Sequence, residues 1–369
     1  MAALPKIIKD LFSLAVSHAA SDLHLKAGRP ALFRVGGELV AAEMAPLAAT
    51  DLKELIDATL PERFRERWLA THQIDYALDC TDLNLGRYRV NAYVERGQLA
   101  VALRLVKGKP PTLAQLNLTL APVMKAVQQG AGLVLVCGPT GSGKSSTLAA
   151  ILQELNQQAA KHIITLEDPI EYTFTDEKAS FSQREIGIDV PDFAAGLLAA
   201  LRQDPDVILV GEMRDRDTFE TALRAAETGH LVLSTLHAGT AQQAIQRLFE
   251  FYPPEQLPLA KRNISAGLKA VVVQTLVPRA DGTGVLPASE VFIIDPLSRR
   301  VLADGQFEKI PDLVEAGGDF GSRVLNQDLG KMVRAGLITK TVAMTHSPNP
   351  KGLEMSLSGI NFQSTRIVS

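Results

Sequence analysis

Apolar positions change period several times along the first hundred residues. Over residues 4–20 they recur at helical spacing until Ser21-Asp22 interrupts them. Leu23-His24-Leu25 and residues 31–39 are short strand-like runs, the second turning at Gly36-Gly37. Residues 51–70 read as one amphipathic helix, and residues 87–106 as two further strands around Arg96-Gly97. This order predicts an α+β domain whose helices pack on one antiparallel sheet.

The rhythm changes after Lys107-Gly108-Lys109-Pro110-Pro111. Paired prolines fix an extended path and fit neither a central strand nor a helix interior, so residues 107–111 are the expected interdomain linker. Beyond them, residues 133–137, 162–167, 207–210 and 231–235 are nearly continuous apolar runs. They alternate with helical stretches over 146–157, 193–202 and 218–227. Strands without a polar face, separated by helices, predict a mainly parallel sheet covered on both sides. The expected division is therefore a domain over 1–106, the linker, an α/β domain over 112–360, and a polar tail over 361–369 expected to be disordered.

Composition narrows the function. A chain of 369 residues with 46% hydrophobic residues can bury two cores. Lys+Arg 38 against Asp+Glu 41 leaves a net charge of -3, the wrong balance for a surface that coats phosphate backbones. The two cysteines, Cys80 and Cys137, exclude a disulfide framework and a four-cysteine zinc site. No apolar run approaches the length of a membrane span, and the N-terminus has no signal-peptide pattern. A soluble protein of a reducing compartment is expected.

Gly138-Pro139-Thr140-Gly141-Ser142-Gly143-Lys144-Ser145 fits G-x-x-x-x-G-K-[ST] at every fixed position, between a strand and a helix. Such glycines let backbone N–H groups turn inward around phosphate oxygens, and the helix that opens at Ser145 and Ser146 adds its N-terminal partial charge. Lys144 supplies a point charge for the β- and γ-phosphates, and the Ser145 hydroxyl can ligate Mg²⁺. Cys137, just before the loop, reads as a small buried strand residue. The apolar run 207–210 ends in Gly211-Glu212, where Glu212 can act as general base toward water; an ion pair with Arg214 is the plainer alternative. Glu167, Asp168 and Glu171 follow another strand, and the carboxyl ends of parallel strands are where such sheets bind ligands. Glu167 is the acid expected to face metal or water. His230 and His237 flank a further strand, and a histidine at a strand's carboxyl end can sense a γ-phosphate. Neither has a second ligand at zinc spacing.

These segments, in this order, resemble the secretion ATPase superfamily of type IV pilus and type II secretion motors. Residues 138–145 match its Walker A loop, and residues 164–172 (ITLEDPIEY) its aspartate box. Residues 201–206 leading to Gly211-Glu212-Met213-Arg214-Asp215 resemble its atypical Walker B segment. Residues 226–238 resemble its histidine box, and Ser21-Asp22-Leu23-His24-Leu25 the signature of its N-terminal domain. The short stretch before Ser21 and the absence of a four-cysteine insertion are similar to the PilT/PilU branch of retraction ATPases. Residues 296–302 (PLSRRVL) depart from the Ala-Ile-Arg-Asn-Leu-Ile-like helix usual in PilT.

The resemblance implies a PAS-like N-terminal domain, a RecA-like P-loop domain and a homohexameric ring that hydrolyses ATP with Mg²⁺ between the two domains. It implies that basic N-terminal residues close over the phosphates as an arginine finger does, with Arg87, Arg89 and Arg104 in the matching strands. Glu212, Glu167 and His237 would complete the catalytic set. The implied task is retraction of type IV pili for twitching motility, from the cytoplasm at the pilus base, peripheral to the inner membrane. The implied partners are an inner-membrane platform protein and a paralogous pilus ATPase. Rival readings are a PilU-like accessory ATPase, a pilus extension or type II secretion ATPase, a RecA-like nucleic-acid motor and a nucleotide-binding regulatory subunit. The nucleic-acid motor would need a basic channel with stacking aromatics, which 5% aromatic residues and a net negative charge do not supply.

Overall fold

The computed structural model describes residues 4–106 and 108–359; the expected tail over 361–369 and Lys107 of the linker lie outside the described residues. The chain divides into two compact units, Met1–Lys109 with Pro169–Phe174, and Pro110–Asp168 with Thr175–Ser369.

The first unit holds β1 (Asp22–Lys26), β2 (Leu32–Val35), β3 (Glu38–Ala41), β4 (Gln73–Asp79), β5 (Arg87–Glu95) and β6 (Gln98–Val106), all antiparallel, in the order β3-β2-β1-β6-β5-β4. Burial alternates along β1, β4 and β5, so one face of the sheet is apolar. The helices Lys6–Ser17 and Ala49–Thr59 supply Ile8, Leu11, Phe12, Leu52 and Leu55 to the same core as Tyr76 and Tyr88. The Phe12 and Tyr88 rings lie 4.4 Å apart, and the buried Tyr76 hydroxyl is satisfied at 2.7 Å by Thr59.

The single helix expected over residues 51–70 is in fact two, Ala49–Thr59 and Arg65–Thr71, joined by a short 3₁₀ turn Glu62–Phe64. Pro61 causes the break: it has no N–H to donate, and its ring holds Leu60 in extended backbone at ψ 119°. The short excursion Pro169–Phe174 belongs to this unit, where the Thr173 N–H donates to the Gly108 carbonyl at 3.1 Å.

The second unit is built on β7 (Gly132–Cys137), β8 (His162–Glu167), β9 (Ser180–Glu185), β10 (Val207–Val210), β11 (Leu231–Leu236), β12 (Leu268–Pro278) and β13 (Val285–Ile293), in the order β13-β12-β7-β11-β10-β8-β9. All neighbours are parallel except the β12–β13 edge pair. Every residue of β7, β10 and β11 is buried, as expected of central strands covered on both faces. The observed helices Lys144–Gln158, Phe193–Ala200 and Arg216–Glu227 match the expected ones to within two residues at each end. The strands β4, β9, β12 and β13 were not expected from the apolar runs. Short helices from Leu325–Arg334 to Pro350–Leu357 bury Leu329, Met332 and Leu353 against Val277, Leu286 and Ala288 of the β12–β13 pair. Among the described residues no helix is long and apolar enough to cross a membrane.

Candidate functional site

Because β7, β8, β10 and β11 run parallel, their carboxyl ends share one sheet edge, and the candidate residues leave the sheet there. The loop after β7 turns through Gly138 (φ 146°), Gly141 (φ 80°) and Gly143 (φ 87°) into the helix Lys144–Gln158. Gly138 has no room for any other residue: a Cβ there would stand 2.4 Å from the Gln274 carbonyl oxygen and 2.5 Å from Ser142 Oγ. The Lys144 ammonium donates to the carbonyls of Gly138 and Pro139, both at 3.0 Å. Its charge is thereby held over the loop's own concavity.

This loop fits a nucleotide's phosphates. It has positive-φ glycines that open the backbone, a fifteen-residue helix pointing its N-terminus at the loop, and a cation on the rim. Thr140 and Gly141 are exposed, while Ser145 and Ser146 are half-buried in the first turn of that helix. Ser145 fits Mg²⁺, a hard ion that takes one or two protein oxygens beside substrate phosphates.

Gly211 and Glu212 follow β10. Gly211 N–H donates to the Leu166 carbonyl at 2.8 Å, and a Cβ on Gly211 would lie 3.1 Å from that same oxygen. The glycine thus lets the tips of β8 and β10 close together, bringing Glu167 beside the segment that carries Glu212. Glu167 accepts from Thr165 Oγ1 at 2.7 Å and from Gln183 Nε2 at 3.3 Å.

Glu212 is held on both oxygens. Arg214 Nε donates to Oε2 at 2.7 Å, and His237 Nε2 lies 3.2 Å from Oε1. The hydrogen bond from Arg214 to Glu212 raises the guanidinium's pKa, with Asp168 a weaker contributor 3.8 Å away. The ion pair with Arg214, the plainer alternative for Glu212, is therefore present together with the placement at the strand tip. Asp215 caps the next helix, accepting from Thr218 N at 2.8 Å, which fixes where residues 211–215 leave the sheet.

His237 and Pro139 line a cleft of about 500 Å³ with Gln243, Arg247 and Glu250. Arg247 donates to the His237 carbonyl and fixes the histidine's backbone. His230 is not part of this edge: it precedes β11, at the strand's amino end, with Nδ1 3.0 Å from the Ala225 carbonyl. Glu171 falls in the excursion that belongs to the first unit, where it is exposed, whereas Glu167 and Asp168 belong to the second. Cys137 is fully buried, and burial pushes its thiol up to about 12.

Arg87, Arg89 and Arg104 all lie in the antiparallel sheet of the first unit. Arg89 and Arg104 stand opposite each other in register. Arg104 Nε donates to Asp22 Oδ1 at 2.8 Å, and Arg89 Nε lies 3.9 Å from Asp75 Oδ1. Burial alone would raise the Asp22 pKa, but hydrogen bonds from Arg104 and Ser21 outweigh it and the carboxyl sits below its usual range.

The reading of motifs missed Gln274. This amide on β12 is 2% exposed and reaches both the loop and its helix. Its signal was available: one amide in the otherwise apolar run Val271-Val272-Val273-Gln274-Thr275-Leu276-Val277.

The family described as "Type II/IV secretion system protein" matches residues 1–285. The type IV pilus retraction ATPase PilT of Pseudomonas aeruginosa is 36% identical over 93% of this chain and 99% of its own. The type IV pilus ATPase PilU of the same organism is 34% identical over 94% and 90%. A crystal structure of the pilus retraction motor PilT with bound ADP superposes with a TM-score of 0.86, at 39% identity, over 94% of this chain and 98% of that one. On the extent of the family match and these near-full-length relatives, the chain belongs to the type II/IV secretion system protein family.

Proposed function

We propose that this chain is a Mg²⁺-dependent ATP hydrolase that works as a homohexameric motor retracting type IV pili. One observation carries the reading: a phosphate-binding loop, Glu212 and His237 converge on one sheet edge in a chain similar to PilT over nearly its whole length.

In this mechanism the loop N–H groups and Lys144 take the phosphates, the ammonium exchanging the Gly138 and Pro139 carbonyls for phosphate oxygens. Ser145, together with the bound phosphates, would hold Mg²⁺, which would supply positive charge against the charge that develops in phosphoryl transfer. Glu212 orients the attacking water and accepts its proton. His237, within reach of Glu212, senses the γ-phosphate position and passes its state into the strand-end loop. Arg87, Arg89 and Arg104 are the proposed source of the charge that meets the transferring phosphoryl group. The motor would act at the cytoplasmic face of the inner membrane, docked on a platform protein and working beside a paralogous ATPase.

A PilU-like accessory role is the second reading, favoured by the divergent helix at Pro296–Asp304 and a nearly equal identity to PilU. The test is Mg²⁺-dependent ATP hydrolysis across size-exclusion fractions, wild type beside Glu212→Gln. Activity confined to a hexamer-sized peak and absent from the variant supports the autonomous motor. A hexamer that binds ATP and barely turns it over favours the accessory role, and turnover by a monomer overturns the ring.

A further inference from the structure

We propose that Gln274 is a positioning residue for the phosphate-binding loop, holding it in the shape that accepts a nucleotide. The inference rests on the nucleotide-binding reading of that loop.

The strand register places Gln274 beside it. Val273 of β12 is the Cα partner of Cys137, the last residue of β7, so Gln274 stands level with Gly138, where the loop begins. The main chain of β12 closes on the loop there, since only a glycine at 138 tolerates the Gln274 carbonyl. The side chain then spans the loop's far end. Its Nε2 donates to the Ser142 carbonyl, and its Oε1 accepts from Thr147 Oγ1 at 2.7 Å. A Cβ on Gly143 would meet Nε2 at 3.0 Å, so the amide also lies against the last glycine of the loop. One side chain thus ties the loop's final turn to the first turns of the helix Lys144–Gln158.

Gln274 and Thr147 are 2% and 1% exposed, so neither bond has water as a ready substitute. A buried amide with both ends used costs more to disturb than an exposed one, because removing one partner leaves the other unsatisfied. The strand presenting Gln274 is itself pinned. Ser289, its partner on β13, accepts from Arg323 Nη2 at 2.7 Å, and its N–H donates to Asp328 at 2.8 Å. Arg323 Nη1 in turn donates to the Thr119 carbonyl at 2.8 Å. Gln274 is therefore delivered to the loop from a fixed strand.

A positioning role separates nucleotide affinity from stability. A loop that loses its brace must be ordered by the nucleotide, which weakens binding while leaving the reacting groups intact once bound. The experiment compares full-length wild type with Gln274→Met, Thr147→Val and Lys144→Ala. It reads ADP affinity by fluorescent-nucleotide titration, kcat and KM for ATP, and Tm.

For Gln274→Met we expect about tenfold weaker ADP binding and a matching rise in KM, with kcat at saturation within about threefold and Tm lowered by only a few degrees, the cost of the buried partners left unsatisfied. Thr147→Val removes one arm and should weaken binding in the same direction by less. Lys144→Ala should abolish binding; if it binds like wild type, the nucleotide reading itself fails. If Lys144→Ala loses binding while Gln274→Met and Thr147→Val bind like wild type, Gln274 does not position the loop. If Gln274→Met does not fold, Thr147→Val decides alone: unchanged affinity overturns the proposal. A drop in Tm with unchanged affinity also overturns it, since that is the signature of core packing alone.

Discussion

His237 Nε2 lies 3.2 Å from Glu212 Oε1, joining the tip of β11 to the tip of β10 across a pair of parallel strands. Thr235 Oγ1 reinforces the link by donating to the Gly211 carbonyl at 2.7 Å. The two residues follow adjacent parallel strands, Glu212 two positions past Val210 and His237 three past its register partner Ser234, so a ligand that draws on one side chain disturbs the partner of the other. Removing the imidazole by His237→Ala should lower turnover about tenfold and leave ADP binding within about twofold. Glu212→Gln should lower it by about a hundredfold or more, the usual contribution of a general base. Steady-state hydrolysis beside nucleotide titration checks both; an His237→Ala enzyme with unaltered kcat removes the histidine from the mechanism.

Gly211 invites a sharper substitution. A methyl group there would press on the Leu166 carbonyl at 3.1 Å and approach Glu167 Cα at 3.5 Å. The β8 and β10 tips must then separate by a few tenths of an ångström, carrying Glu167 away from Glu212. Gly211→Ala should cost about 1–2 kcal/mol in denaturant unfolding, as overpacking of a tight interior does. Turnover should fall further than that cost explains, because the acids lose register. Equal turnover at unchanged stability would show that the close approach is incidental.

Glu290, on β13, is pushed above its ordinary carboxyl range, first by burial and against the hydrogen bond it accepts from the Ala241 N–H at 2.6 Å. Above pH 4.5 the unfolded chain releases this proton while the folded chain keeps it. The folded state then binds more protons, so stability falls as pH rises through that window and is greatest below it. Glu290→Gln retains an oxygen for Ala241 and cannot ionise. Melting curves from pH 4.5 to 7.5 should show the wild type losing Tm relative to the variant; parallel curves would refute the assignment.

Both cysteines are buried, and burial raises both thiols, Cys137 to about 12. Iodoacetamide at pH 8 should leave the native protein unmodified and its hydrolysis unchanged, because the thiolate is the reacting form. Mass spectrometry should find both alkylated only in denaturant. Rapid native labelling of Cys137 would mean that β7 opens beside the phosphate loop.

Where the chain met a local rule, that rule was readable in the letters. The phosphate loop, the continuous strands β7, β8, β10 and β11, and the placement of Glu212 after an apolar run all follow from spacing and burial period. The long helix over 51–70 failed at Pro61, although proline's missing N–H is itself a local signal. The strand Gln73–Asp79 went unread although its buried positions fall at every second residue, a local strand signal; its place at the sheet edge is set by the strand order.

The sequence by itself determined the α/β class, the loop and the order in which acids and histidines reach the sheet, because these depend on neighbours a few residues apart. The tertiary structure alone decided which of them meet. It put His237 against Glu212, left His230 at the opposite end of the same strand, and assigned Glu171 to the other unit. It also brought Gln274 to Ser142 across 132 residues of chain. Such pairings are set by strand order and register, and no local periodicity encodes which strands become neighbours.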